Sequence, residues 1–240
     1  MMLKEFVEKI QSMANEASAK VIEVDGEQYS TQRIYKVDPT EYRPNSITVN
    51  SLESIITLVR NEAVRYTDNT IFVQVEDPLN VNVFTTFDDK NRRDFLYMAR
   101  ADIVSTPIDQ WTGKESLMIA LNSVFIPSED VDYIQSVLQK VTEESKVSST
   151  DNGLGQSIEA QKGIALKENM TLKKRVKLRP YRTFLEVEQP ESEFILRADE
   201  GAKFLIKSAD GGAWELAAKS NIKAYLVKHL TGFKNVIVMA

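Results

Sequence analysis

The chain has 240 residues, of which 42% are hydrophobic and 27% charged, and a formal net charge of −5. That length and balance are ordinary for a soluble globular protein that buries a core without staples. The absence of cysteine excludes a disulfide framework, a thiolate nucleophile and Cys-ligated zinc, and the acidic balance argues against a general nucleic-acid coat protein while leaving room for a local basic patch.

At the N-terminus, Leu3, Phe6, Val7, Ile10, Met13, Ala14 and Ala17 recur at helical spacing, which predicts an amphipathic helix over 3–18. Lys4, Glu5, Glu8 and Lys9 interrupt any apolar leader, so no secretory signal is expected. No apolar window is long enough for a membrane helix. Asp25-Gly26 between two β-prone runs predicts a two-residue hairpin turn. Pro39 and Pro44 mark an irregular connection, "VDPTEYRPNS". "SITVN" reads as a strand. Ser51 is placed to cap a helix whose apolar side carries Leu52, Ile55, Ile56, Val59 and Ala63.

Three strand candidates follow, "TIFVQV", "NVNVFTTF" and "RDFLYMARA", joined by the polar turns "EDPLN" and "DDKNR". No crossover helix separates them, so an antiparallel meander is predicted. Two helices come next. The first covers about 113–124, with Leu117, Ala120, Leu121 and Val124 inward and Trp111 as its anchor. The second starts after Pro127, with Ser128 as N-cap and Val131, Ile134, Val137, Leu138 and Val141 buried. The polar segment 146–175 reads as a two-stranded arm turning at "DNGLG" or as a linker. Beyond it "EFILRA", "KFLIKSA" and "AWELAA" read as strands separated by "DEG" and "DGG" turns. A short helix over about 221–230 ends near Gly232, and "NVIVMA" reads as a closing strand.

Motifs for familiar chemistry are scarce. His229 is the only histidine, in a predicted helix without a visible nucleophile partner, so it is expected to do no chemistry. Asp88-Asp89, Glu76-Asp77 and Asp130/Asp132 offer oxygens to a hard cation, but turns and first helical turns carry carboxylates anyway. No phosphate-binding glycine loop occurs, and "GLG" at 153–155 sits in a polar turn. The main electrostatic feature is a basic run. From Lys162 to Arg182 there are eight positive charges, Lys162, Lys167, Lys173, Lys174, Arg175, Lys177, Arg179 and Arg182, against Glu168 alone. Alternation with Val176 and Leu178 places Arg175, Lys177 and Arg179 on one strand face and the apolar pair on the other. Lys173, Lys174, Arg175, Lys177, Arg179 and Arg182 are therefore candidates for phosphate binding or for an interface. A strand face neutralised by Glu186, Glu188, Glu191 and Glu193 is the competing reading.

The block "RTFLEVEQP", with Arg182, Thr183, Phe184, Glu186, Val187, Gln189 and Pro190 followed by Phe194 and Arg197, resembles a signature near the C-terminus of an uncharacterised YfdQ-like family of phage and prophage proteins. The resemblance implies an intracellular phage accessory protein and carries over no catalytic residue. Read physically, Phe184, Glu186, Gln189 and Pro190 form a structural corner: Pro190 cannot donate to a sheet and ends the preceding strand, Arg182 is within reach of Glu186 or Glu188, and Gln189 and Thr183 satisfy freed backbone groups.

The sequence thus predicts an α+β protein of antiparallel sheets, a central meander and a C-terminal β-rich part, with about four helices. Its expected divisions are a domain over 1–145, the arm or linker over 146–175 and a domain over 176–240. No catalytic, cofactor or metal site is expected. The expected role is that of a non-enzymatic, self-associating accessory protein in the bacterial cytoplasm, acting by assembly or by sequestering a partner, with no membrane association. The alternative is a nucleic-acid or nucleotide-binding accessory in phage replication, recombination or counter-defence, and a carboxylate-based hydrolase stands third.

Overall fold

The computed structural model describes residues 2–17, 20–30, 45–65, 67, 69–89, 91–141, 146–151, 156–162, 166–199 and 202–240. The chain divides into two units, Met1–Pro44 and Asn45–Ala240. In the first, helix α1 (Met2–Ala17) precedes a hairpin of β1 (Val21–Val24) and β2 (Glu27–Ser30). Asp25 and Gly26 both take positive φ, 54° and 77°, the backbone a two-residue hairpin needs. The stripe of α1 is exposed at Phe6, Val7, Ile10 and Met13. The predicted proline-marked connection lies outside the described residues.

The second unit is built from two α/β layers. Its first layer begins with β3 (Ile47–Val49) and α2 (Leu52–Arg65), then β4 (Ile71–Val75), β5 (Asn80–Thr85) and β6 (Phe95–Arg100). Ser51 caps α2 through its Oγ, which accepts from Ser54 N at 3.1 Å. All of Leu52, Ile55, Ile56, Val59 and Ala63 are buried, as their spacing requires. Strands β4, β5 and β6 pair antiparallel, as the short polar turns predict.

The second layer starts with β7 (Trp111–Gly113), α3 (Lys114–Ser123) and α4 (Glu129–Lys140). The Ser128 hydroxyl accepts from Val131 N at 3.3 Å and caps α4. After β8 (Lys146–Asp151), β9 (Gln156–Lys162) and β10 (Leu166–Thr171) come β11 (Val176–Leu178), β12 (Ser192–Asp199) and β13 (Lys203–Ser208). Sheet order is β11-β12-β13-β7, antiparallel throughout. Leu117, Leu121, Ile134 and Leu138 pack on Val176, Leu178, Phe194, Leu196 and Phe204 to form one core. Trp111 is not an anchor for α3: it is 49% exposed on an edge strand, where Thr112 is the less exposed neighbour.

Helix α5 (Ala213–Leu230) and strand β14 (Val236–Met239) then return to the first layer. Ile222, Leu226 and Leu230 join α2 against Ile71, Val73, Val81 and Val83. Strand β14 pairs parallel to β4, and β3 pairs parallel to β6, so the meander gains a parallel strand at each edge in the order β14-β4-β5-β6-β3.

Three expectations need correction. "AWELAA" is the start of α5 and not a strand. Ala218, Ile222, Leu226 and Leu230 recur every four residues, while Leu216 is 72% exposed, so the apparent alternation has no buried face. Gly211 and Gly212, at φ 64° and 84°, lead into the helix instead of closing a hairpin. The arm has three strands, in the order β10-β9-β8, where two were expected. Finally, the divisions 1–145 and 176–240 do not separate the cores. Each core draws on residues from both stretches, because β13 pairs with β7 and α5 packs on the first sheet. The α+β class holds, with antiparallel sheets apart from the two parallel edge pairings and with five helices among the described residues. None of the described helices is long and apolar enough to cross a membrane.

Candidate functional site at the 180–192 corner

Between β11 and β12 the chain turns a corner that belongs to both cores. Strand β11 points Val176 and Leu178 into the second-layer core, and Phe184 and Val187 enter the first-layer core a few residues later. Ahead of the corner, Ile126 N donates to Arg179 O at 2.9 Å and Tyr181 N to Val124 O at 3.0 Å, which ties the chain to the α3–α4 connection.

Gln189 organises the turn. Its Oε1 accepts from Arg182 N at 3.0 Å and Thr183 N at 3.3 Å, and its Nε2 donates to Phe184 O at 2.9 Å and Val187 O at 3.3 Å. One buried amide thus satisfies backbone groups that no strand pairs with. Thr183, fully buried, donates its hydroxyl to Pro78 O at 2.5 Å. Glu186 Oε1 accepts from Leu52 N at 2.8 Å, so a carboxylate joins the Ser51 hydroxyl as a second acceptor at the start of α2. Pro190 is buried in irregular backbone; no strand runs into it, in contrast to the expectation.

Arg182 does not reach Glu186 or Glu188. Its buried guanidinium donates to Ser192 Oγ and lies 4.0 Å from the Trp214 ring centroid at the start of α5. Burial pulls the guanidinium down to about 10, partly offset by Asp210 and Glu215, so it remains a cation at neutral pH. Burial also works against the Asp210 charge, but the Ser192 hydroxyl, Gly212 N–H and the Arg182 guanidinium hold that carboxyl below its usual range. Arg182 Nε and Asp210 Oδ2 find no hydrogen-bond partner among the described residues. Arg182 is therefore a packed member of this cluster and no part of an exposed phosphate grip. Its partners Trp214 and Asp210 are distant in sequence and carry no motif that would announce them.

The remaining candidates along β11 are exposed or half-buried, as the alternation requires, and most are matched by acids. Arg175, just ahead of β11, pairs diagonally with Glu193, whose direct cross-strand neighbour is Lys177. Lys177 lies 3.6 Å from Glu191, and Arg179 lies 3.3 Å from Glu188 and 3.6 Å from Glu191. Lys173 Nζ donates to Asp130 Oδ1 at 2.8 Å, and Asp130 Oδ2 accepts from Lys177 N at 2.7 Å. Partial burial opposes the Asp130 charge, yet these donors hold its carboxyl below the usual range, while Asp130 holds the Lys173 ammonium above its own. Lys174 sits exposed in the bend before β11. The face is thus a largely neutralised strand pair, the arrangement that cross-strand opposite charges favour.

Beside the corner lies a cleft of about 390 Å³, lined by Ile103, Val104, Val124, Tyr181 and Leu185, with Asp102 and Ser123 among its polar lining. Val104 and Leu185 are 69% and 68% exposed. Alternation around Gln189's turn sends Phe184 inward and leaves Leu185 outside.

Of the other acidic candidates, Asp77 and Asp88 are engaged by local structure. Asp77 accepts from Leu79 N and Asn80 N, and Asp88 from Arg92 N and Nε. His229 lies against Tyr225 with its ring tilted by 33° and the centroids 4.5 Å apart, in the last turn of α5. No group of three His, Asp or Glu among the described residues is placed to hold a metal ion. "GLG" at 153–155 lies outside the described residues. The chain matches no protein-family model, and no curated protein or solved structure shows significant similarity to it.

Proposed function

We propose that this protein is a phage accessory protein, as the YfdQ-like resemblance implies, and that it is non-enzymatic, self-associates and acts by assembly or by sequestering a partner. One observation carries the reading. Strands β8, β9 and β10, whose sequences are too polar to build a core, form a three-stranded sheet in the order β10-β9-β8, and the outer edge of β10 pairs with no described strand. A six-residue edge strand is a template for another chain, and a second copy of the same protein gives the commonest closed arrangement, an antiparallel pairing about a twofold axis. The exposed Val104 and Leu185 beside the corner cleft add apolar surface suited to a partner. The ion pairs along β11 speak against the phosphate-gripping alternative for that strand.

The test is light scattering on the intact chain and on a variant with residues 149–162 replaced by a short Gly-Ser turn. An oligomer that becomes a monomer in the variant is expected. A monomeric intact chain refutes self-association, and an unchanged oligomer in the variant removes the arm from it.

A further inference from the structure

The five-stranded sheet has two unlike faces. Val73, Val81, Val83 and Ala99 face α2 and α5, joined by Val236 and Val238. Alternation sends the intervening residues to the other face. There the register aligns Ile237, Phe72, Phe84 and Phe95 as cross-strand neighbours over β14, β4, β5 and β6. The register shift between Val83 and Phe84 brings Phe95 into that row. Phe72 and Phe84 stack at 5.6 Å between centroids, and Phe84 and Phe95 lie 5.8 Å apart. Phe95 is 59% exposed, and Phe87, just past β5, is 62% exposed.

Arg93 completes this surface. Its guanidinium lies 4.4 Å from the Phe84 centroid and 4.3 Å from that of Phe87. Its Nε is buried without a hydrogen-bond partner, and no carboxylate among the described residues pairs with it. Two rings, not a counter-ion, orient this cation. The neighbouring Asp88 is engaged by Arg92 at 3.0 Å. On the next row Gln74 faces Asn82, and Arg100 faces Asn80 at the far end of β6.

We propose that this face binds single-stranded nucleic acid, with bases stacking on Phe95 and Phe87 and a backbone phosphate meeting Arg93. Exposed rings with cations beside them on an open sheet are a sequence-tolerant platform for unpaired bases. Charge chooses this occupant over the two protein alternatives. An apolar partner segment would strip water from Arg93 and supply no counter-ion. A second copy docked face to face about a twofold axis would bring one Arg93 towards the other. A strand of phosphates supplies the missing anion. The proposal stands apart from the assembly reading, because a monomeric chain has the same face.

The experiment is fluorescence anisotropy of labelled oligo-dT, oligo-rU and a DNA duplex with the full chain, at low and moderate salt. Both single strands are expected to bind more tightly than the duplex, and the ratio of the two shows whether DNA or RNA is preferred. Phe95→Ala and Phe87→Ala each weaken binding by between about five-fold and about a hundred-fold, the range set by one base–aromatic stack. The double variant Phe87→Leu/Phe95→Leu keeps apolar volume, and with it the fold, but loses stacking and is weakened in the same direction. Arg93→Ala reduces the slope of log affinity against log salt by about 0.7, one phosphate contact on a single strand. No single-strand binding at low salt overturns the proposal, as does equal affinity for duplex or affinity unchanged in the double leucine variant. A fall in particle mass in that variant, read by light scattering, overturns it by assigning the face to self-association.

Discussion

Replacing Gln189 by leucine tests whether one side chain holds the corner. The substitution keeps much of the volume and removes both polar atoms of a residue that is almost wholly buried. Phe184 O keeps a second donor, Val187 N at 3.4 Å, but Arg182 N, Thr183 N and Val187 O lose the only partners described for them. A buried backbone group left unsatisfied costs about 1–3 kcal/mol, so three of them cost at least about 3 kcal/mol before relaxation. Water entering from the cleft side limits the upper end, which gives an expected loss of about 3–5 kcal/mol. Urea unfolding followed by the fluorescence of Trp111 and Trp214 is the assay. With an m-value of about 2–3 kcal/mol per molar urea, the midpoint falls by about 1–2 M. The exposed neighbour Glu188, changed to Gln, is the control and stays within about 0.5 kcal/mol of the parent. A loss below about 1 kcal/mol for Gln189→Leu would refute the claim that the amide is what satisfies this turn.

Arg182→Ala removes the buried cation that Ser192 and Trp214 enclose, with its charged hydrogen bond and its contact with the indole, and is expected to cost about 2–5 kcal/mol by the same urea assay; Arg182→Met, which refills the volume, recovers part of that loss. Asp130→Asn lowers stability at neutral pH, because the folded carboxyl titrates below its unfolded value. That contribution is present above the ordinary carboxylate pKa and is lost as pH falls through the folded one, so the gap between parent and variant closes in urea melts taken at progressively lower pH. Arg175→Ala, which breaks an exposed pair with Glu193, shifts stability by less than about 1 kcal/mol, and added salt makes the difference smaller still in thermal melts. His229→Gln leaves particle mass and ligand affinity unchanged, since its ring contacts Tyr225 at the end of α5 and no reactive group.

Features fixed by neighbours in sequence were legible without coordinates. The Asp25-Gly26 turn, the stripe of α2, the Ser128 cap and the in-out alternation of Val176 and Leu178 all depend on periods of two or 3.6 and on single-residue chemistry. The corner was half legible: Gln189 and Thr183 satisfy backbone as their position beside Pro190 suggested, but Arg182 chose Trp214 and Ser192 over the nearer acids. That choice is made by the start of α5, which was hidden because Trp214 and Leu216 mimic strand alternation there, although the helix was expected from about residue 221. The parallel edge pairings of β3 and β14 leave no local trace, since they are made between distant segments. The aromatic row is hidden for the same reason. Ile237, Phe72, Phe84 and Phe95 come from four strands, and only the shift at Val83/Phe84 brings the last into line. The ion pairs around β11, in contrast, were readable, because Glu188, Glu191 and Glu193 follow closely in sequence, in the corner and at the start of β12.

The return of α5 and β14 to the first sheet bears on how the protein folds as it is made. Strands β3 to β6 leave the ribosome before any of the second core, with Ile71, Val73, Val81 and Val83 facing a layer that holds only α2. The rest of that layer arrives only after the entire second core has been translated. During that interval the second core, whose sheet and helices lie within one continuous stretch, is free to close, and the first must wait with an apolar face uncovered. A chaperone that shields the nascent first sheet would therefore matter more than one acting after release. A chain stalled before α5 would hold one finished core and one that recruits any apolar surface it meets.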